Sequence, residues 1–102
     1  MNRIIVLFNL KHGASAADYE AWARRVDLPT VTGLPSIERF EVFKSSGLLG
    51  SHAPPPYQYV EIIDVRDMDV FSQDISTSTM QAVAREFAAF ADAVFILTNP
   101  LS

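Results

Sequence analysis

The order of apolar patterns along the chain constrains its fold more than any other feature. Short β-rich runs and longer runs with helical spacing follow one another as strand, helix, strand, strand, helix, strand. That order is the split βαβ arrangement of the ferredoxin-like fold. We therefore predict an α+β domain over residues 1–102, with one four-stranded antiparallel sheet and both main helices on one face.

The four predicted strands differ in their patterns. The first is apolar on both alternating faces, which indicates an inner strand, and the second and third alternate over most of their length. In chain order the predicted strands are "RIIVLFNL", "SIERFEVFK", "YQYVEIIDV" and "AVFILT". A loop rich in glycine and proline, "SSGLLGSHAPPP", separates the two middle strands.

The predicted helices begin at residues with capping side chains. Ser15 caps "AADYEAWARRVD", Ser78 caps "TMQAVAREFAAFAD", and Asp67 starts a short helix between them. Prolines and a glycine in "LPTVTGLP" predict an irregular turn after the first helix.

One face of the predicted sheet lacks a covering layer. Its Phe, Ile and Tyr side chains are too extensive an apolar surface to leave in water. We therefore expect a homodimer that pairs two such faces, since two-fold symmetry is the commonest solution.

Composition excludes several classes of protein. The chain has no cysteine, which rules out disulfides and thiolate zinc sites and is typical of a cytoplasmic protein. Its net charge of -4 argues against nucleic-acid binding. No run is long and apolar enough for a membrane span, and the N-terminus does not read as a signal peptide. We expect no membrane association.

Glu61 lies within the third strand, among apolar residues. Burying an unpaired carboxylate is costly unless its pKa rises until the group is neutral. One interpretation is a general base or acid in a ligand cavity, with a pKa moved toward neutrality by apolar walls. The alternatives are an ion pair with Arg39 on the neighbouring strand, or exposure to solvent at the rim of the sheet.

Four further residues are candidates for chemistry. Arg39 would orient a substrate oxygen if it did not pair with Glu61. Tyr59 lies two residues before Glu61 on the same face, so its hydroxyl is a candidate partner. His12 follows the first strand and His52 lies in the long loop, where each is either a proton donor or simply solvated.

The chain offers an aromatic lining for a cavity, although most of its aromatic residues are expected to be ordinary core. The candidate substrate-binding residues are Phe8, Tyr19, Trp22, Phe43, Tyr57 and Phe87. No histidine spacing indicates a metal site, and no phosphate-binding or nucleophile motif is present. We predict no metal and no cofactor.

Several stretches together resemble the REDY-like HapK family of the dimeric α/β-barrel superfamily. They are "DLPTVTGLPSIERFEVFK", "YQYVEIIDV" with "RDMDVF", and "MQAVAREFAAFADAVFILTNPL". The resemblance implies a ferredoxin-like subunit, a homodimeric barrel and a pocket between sheet and helices. Family members are associated with natural-product pathways such as prodiginine-type and bisindole pigments. Related barrels include polyketide cyclases, muconolactone isomerases, quinone-forming monooxygenases and haem-degrading enzymes.

The resemblance does not transfer an active site. The plant-type polyketide cyclase of the superfamily uses a tyrosine and a histidine near the second helical region, where this chain reads "DISTSTM". Arg3 is the nearest match to that enzyme's first-strand histidine. We expect a cofactor-independent enzyme that cyclises, isomerises or dehydrates an aromatic, bisindole or polyketide-like intermediate. The alternatives are a non-catalytic carrier of such a molecule and a cofactor-free monooxygenase.

Overall fold

The computed structural model describes residues 2–102, which form one antiparallel sheet covered by helices on one face. The strands are β1 (Asn2–Leu10), β2 (Ile37–Lys44), β3 (Tyr59–Val65) and β4 (Ala91–Thr98). They lie in the order β2-β3-β1-β4, and every neighbouring pair is antiparallel. The predicted α+β fold with a four-stranded antiparallel sheet is confirmed.

The central strands β1 and β3 place alternate side chains against the helices. On β1, Ile4, Val6 and Phe8 are buried on that face. On β3 the same face carries Tyr59 and Ile63, also buried. This alternation places the core between the sheet and the helices. The sequence pattern predicted β3 from residue 57, two residues before the strand begins.

A β-bulge changes the alternation of β2. Its register with β3 shifts between Ile37 and Arg39, so Ile37 and Phe40 are both buried on the helix-covered face. The alternation of apolar and polar residues in this strand predicts Ile37 on the same face as Arg39 and Phe43, and that prediction is wrong. After the bulge, Arg39 and Phe43 lie on the opposite, open face of the sheet.

The first helical region is longer than its pattern indicated. It consists of α1 (Ala16–Trp22), a π-helical turn (Ala23–Asp27) and α2 (Leu28–Thr32). Ser15 caps α1 as predicted, because its Oγ accepts a hydrogen bond from the Asp18 backbone amide at 3.2 Å. The predicted irregular turn is wrong over α2, where Pro29 occupies the first turn and is tolerated without its own N–H.

The second helical region contains α3 (Met68–Ile75) and α4 (Ser78–Phe90). Asp67 caps α3 as predicted, by accepting from the amides of Asp69 and Val70. The cap of α4 is Thr77 and not Ser78, since the Thr77 Oγ1 accepts from the Met80 amide at 3.3 Å. β4 follows α4 directly at residue 91, two residues earlier than predicted.

Candidate functional site

A cavity of about 660 Å³ lies between the sheet and the helices. Its walls come from the helix-facing side of the sheet and from α2, α3 and α4, and are mostly apolar. The lining residues are Ile4, Lys11, Asp27, Val31, Leu34, Phe40, Glu61, Ile63, Phe71, Ile75, Met80, Val83, Ala84, Phe87, Ala88, Ala91, Asp92, Ala93, Phe95 and Leu97. Phe95 and Leu97 on the edge strand β4 are 58% and 71% exposed, so the cavity opens along that edge. We call this space the sheet–helix cavity.

Glu61 projects from the middle of β3 into the sheet–helix cavity. Its neighbours in register are Val6 on β1 and Val42 on β2, and the residue is 4% exposed. Its Oε2 atom has no hydrogen-bond partner among the described residues. Burial, and then the nearby charge of Asp27, raises the pKa of Glu61 to about 8. This rise is the one expected if Glu61 lines a cavity, and not if it pairs with Arg39 or faces solvent.

Asp27 is a second carboxyl group in the same cavity, and the sequence analysis missed it. It is the last residue of the π-helical turn and is 6% exposed. Burial raises its pKa to about 6. One signal could have identified it: Tyr19, Ala23 and Asp27 are spaced at four-residue intervals, which is the spacing of a single helical face, and the first two are apolar.

The two carboxyl groups differ in charge at neutral pH. With pKa values of about 8 and about 6, Glu61 is protonated at pH 7 while Asp27 is ionised. Among the described lining residues the only basic side chain is Lys11, whose Nζ lies 3.8 Å from Asp92 Oδ1. Lys11 and Asp92 are exposed, which places them at the mouth. The interior of the cavity therefore holds one proton donor and one proton acceptor.

Two buried tyrosines, Tyr19 and Tyr59, belong to the hydrophobic core. The Tyr19 hydroxyl has no hydrogen-bond partner among residues 2–102. Burial and then the charge of Glu61 raise the pKa of Tyr19. The Tyr59 hydroxyl donates to Glu20 Oε2 at 2.7 Å, and Lys44 Nζ donates to the same oxygen at 2.8 Å. The predicted partnership of Tyr59 with Glu61 is therefore wrong, and Tyr59 does not line the cavity.

The predicted ion pair between Arg39 and Glu61 is also wrong. Glu61 faces the helices, whereas Arg39 lies on the open face with its Nε 3.3 Å from Glu41 Oε1. On β3, the carboxylate that forms an ion pair is Asp64, and its partner is Arg3. It accepts from Arg3 Nε at 2.7 Å and from a second Arg3 nitrogen at 3.0 Å. Arg39 cannot orient a ligand in the sheet–helix cavity.

Neither histidine lies in the cavity. His12 lies in the turn after β1 and His52 in the loop between β2 and β3, and both are exposed. Their proposed roles as proton donors in the cavity have no geometric support. Residues 2–102 contain no group of three or more side chains placed to hold a metal ion.

Only one of the six predicted substrate-binding aromatics, Phe87, lines the cavity. Phe8, Tyr19 and Trp22 belong to the core beside it. Phe43 lies exposed on the open face, and Tyr57 lies half-buried before β3. The aromatic lining missed by the sequence analysis consists of Phe40, Phe71 and Phe95.

Comparison with known proteins assigns the family. The family model for the REDY-like protein HapK matches residues 2–101. This chain belongs to the REDY-like HapK family. The crystal structure of HapK from Hahella chejuensis is similar, with 34% identity and a TM-score of 0.81 over 100% of this chain and 94% of that one.

More distant solved structures share the fold. SnoaB, a cofactor-independent oxygenase from Streptomyces nogalater, is 18% identical with a TM-score of 0.76, covering 99% of this chain and 93% of that one. An antibiotic biosynthesis monooxygenase is 15% identical with a TM-score of 0.75, covering all of both chains. Comparison with functionally curated proteins finds no significant match. No helix within residues 2–102 has the length and apolar character needed to cross a bilayer.

Proposed function

We propose that this protein is a cofactor-independent enzyme of natural-product biosynthesis. Its substrate is an aromatic, bisindole or polyketide-like intermediate, which it cyclises, isomerises or dehydrates. One observation carries the proposal: Glu61 and Asp27 lie in one apolar cavity, and at pH 7 one carries a proton while the other lacks it. Environments that separate two pKa values in this way are typical of acid and base partners.

A dehydration illustrates the chemistry that this pair supports. Glu61 gives its proton to a substrate hydroxyl, the C–O bond breaks and water leaves. Asp27 takes a proton from the neighbouring carbon, and the electrons of that C–H bond form the new double bond. Asp27 has then gained the proton that Glu61 lost, and transfer between them restores both groups. The sequence left Glu61 as base or acid, and the raised pKa favours the acid.

The size and walls of the cavity support a planar substrate. A volume of about 660 Å³ falls within the range of pockets that enclose small organic molecules. The apolar walls hold the substrate near both carboxyl groups, so positioning and acid–base catalysis suffice for a substrate already inclined to react. The same enclosure also suits the alternative, a carrier that shields a reactive intermediate.

A cofactor-free monooxygenase is the second candidate. The observation that favours it is the shared fold with a cofactor-independent oxygenase and an antibiotic biosynthesis monooxygenase. Such a reaction consumes dioxygen, whereas cyclisation, isomerisation and dehydration do not. Oxygen dependence therefore separates the two candidates.

We further propose that the protein is a homodimer that pairs two open sheet faces. That face carries half-buried Ile5, Leu7 and Ile62 and the exposed side chains of Val94 and Ile96. Apolar surface of this extent across three strands is typical of a protein interface. The sheet–helix cavity lies on the other side of the sheet and remains accessible in such a dimer.

The experiment compares purified wild type with Glu61→Gln in a metabolite extract of the native host, with and without oxygen. Mass spectrometry of the products is the readout. We expect the wild type alone to form a product without oxygen, either isomeric with its substrate or lighter by one water. Asp18→Asn, which removes one exposed carboxylate from α1, is the control and should match the wild type.

Other outcomes would overturn the proposal in distinct ways. A product that appears only with oxygen and has gained oxygen supports the monooxygenase. If wild type and Glu61→Gln both retain the same small molecule through gel filtration and neither converts it, the protein is a carrier. Equal turnover by both proteins would exclude Glu61 as the acid.

A further inference from the structure

We infer that the sheet–helix cavity takes a planar aromatic ligand that carries a protonated nitrogen, with Asp27 as its counter-ion and Glu61 as a neutral hydrogen-bonding group. The inference rests on the proposed function only in taking this cavity as the functional site. It adds the charge of the ligand, which the proposed function leaves open. A protonated amine, imine or ring nitrogen belongs to this class.

The cavity contains two buried carboxyl groups and no cation in its interior among the described residues. Asp27 is 6% exposed and Glu61 4% exposed, and neither forms an ion pair among the described residues. A buried carboxylate without a cation is costly, so such groups are usually paired. Lys11, the only cationic side chain among the described lining residues, is exposed at the mouth beside Asp92. The missing cation is therefore one that a ligand can supply.

The carboxyl group of Glu61 has an unused hydrogen-bonding atom among the described residues. Glu61 Oε2 is buried and has no partner among residues 2–102. Buried polar atoms in folded proteins almost always have a partner. A ligand with an N–H group can satisfy this atom, and a protonated nitrogen also supplies the charge that Asp27 lacks.

The walls of the cavity are rich in aromatic rings. Phenyl rings line the cavity from four elements: Phe40 from β2, Phe71 from α3, Phe87 from α4 and Phe95 from β4. Aromatic rings stack favourably on planar ligands and attract cations through their faces. A flat cation therefore finds both a counter-ion and aromatic walls in the same space.

The test uses three flat tricyclic probes of similar size and different charge: cationic 9-aminoacridine, neutral acridone and anionic anthracene-9-carboxylate. Fluorescence titration at pH 7 gives their affinities. We expect 9-aminoacridine to bind at least about tenfold more tightly than acridone, because a hydrogen bond to a charged group replaces a neutral contact. Anthracene-9-carboxylate should bind most weakly.

Matched variants assign the preference to Asp27. Asp27→Asn should weaken 9-aminoacridine binding about tenfold or more and leave acridone binding unchanged. Asp18→Asn removes the same charge from an exposed position of α1 and should alter neither. Unchanged 9-aminoacridine binding by Asp27→Asn would overturn the assignment of Asp27 as counter-ion.

The pH dependence of probe binding is measured on the wild type, so this test does not depend on whether a variant folds. The groups that face Asp27 are Glu61 from β3, Tyr19 from α1, and Lys11 with Asp92 at the mouth. As the pH falls from 8 to 5, first Glu61 and then Asp27 takes up a proton, so the cavity loses its negative charge. Binding of 9-aminoacridine should weaken while acridone binding stays constant. A flat profile for 9-aminoacridine would contradict the inference.

The probes distinguish a failure of this inference from a failure of the proposed function. If acridone binds as tightly as 9-aminoacridine, the cavity is a ligand site without a preference for cations, and only this inference fails. If none of the three probes binds, the cavity is not a site for planar ligands, and the proposed function fails with it.

Discussion

Two carboxyl groups on one strand, Glu61 and Asp64, show how the two faces of the sheet differ. They are three residues apart on β3 and similarly buried, at 4% and 3% exposed. Glu61 faces the helices without a cation, and burial raises its pKa to about 8. Asp64 faces the other way, and hydrogen bonds from Arg3 hold its pKa below the ordinary value.

Burial alone therefore does not identify the functional carboxyl group. The open face pairs its charge locally, so Asp64 needs no ligand. In the sheet–helix cavity, neither Glu61 nor Asp27 forms an ion pair with any residue from 2 to 102, so a bound proton or a cationic ligand must neutralise each carboxylate. On β3, the carboxyl group paired with an arginine stabilises the sheet, and the one without such a pair is the candidate for function.

The largest expected effect is on the pH dependence of stability. The pKa of Glu61 is raised on folding from 4.5 to about 8, so between these values the native state holds a proton that the unfolded chain has lost. The stabilising contribution is complete below about pH 4.5 and is lost as pH rises toward 8. The free energy of unfolding should fall by roughly 3 to 5 kcal/mol over this range because of Glu61. Asp27, whose pKa is raised by less, should make a smaller contribution of the same sign.

Glu61→Gln should remove most of that slope and make the protein more stable than the wild type at pH 8.5. Urea unfolding at one fixed protein concentration, from pH 5 to pH 9, is the measurement. Asp18→Asn should keep the slope of the wild type. Equal slopes for wild type and Glu61→Gln would show that Glu61 is ionised in the native state.

The second largest effect should be on dimerisation through the open face of the sheet. Ile62→Lys introduces a charge near the centre of that face, between β1 and β2. If two such faces pair, the dimer dissociation constant should rise roughly a hundredfold or more. Sedimentation velocity gives the oligomeric state. Thr79→Lys adds the same charge to an exposed position of α4 and should leave the dimer intact.

A monomeric wild type would contradict the dimer proposal directly. A dimer that persists unchanged in Ile62→Lys would place the interface elsewhere on the molecule. Either result leaves the sheet–helix cavity as the functional site, since its walls come from a single chain.

The smallest effect should come from breaking the pair on the open face. Arg3→Gln removes the donors to Asp64, whose pKa should return toward its ordinary value. The lowered pKa stabilises the protein above about pH 4, and that contribution is lost as pH falls. The variant should therefore be slightly less stable than wild type at pH 7 and equally stable at low pH.

Urea unfolding at pH 7 and at low pH tests this prediction, with Arg25→Gln as the control for loss of an exposed charge. If Arg3→Gln and Arg25→Gln have equal effects, the Arg3–Asp64 pair contributes nothing beyond net charge, and the contrast between the two faces weakens.

The order of strand and helix patterns was enough to predict the sheet and the side that the helices cover. It was also enough to single out Glu61, because a carboxylate within a β-rich apolar run is unusual. The errors have local physical causes. A bulge in β2 turned Arg39 to the open face, and a π-helical turn carried the helix on to Asp27 and α2.

The remaining errors concern contacts between distant segments. Tyr59 meets Glu20 of α1 and not Glu61, its neighbour on the same face. The cavity walls use Phe71 and Phe95, which lie in α3 and on the edge strand β4. Periodicity gives the face on which a side chain lies, but it does not give the element packed against that face.

The most direct test of the account is the titration of individual carboxyl groups by ¹³C NMR in protein labelled at aspartate and glutamate. Glu61→Gln, Asp27→Asn and Asp64→Asn assign the signals. We predict that Glu61 titrates near pH 8 and Asp27 near pH 6, while Asp64 stays ionised below its ordinary pKa. A Glu61 signal that titrates near 4.5, the ordinary value, would contradict it.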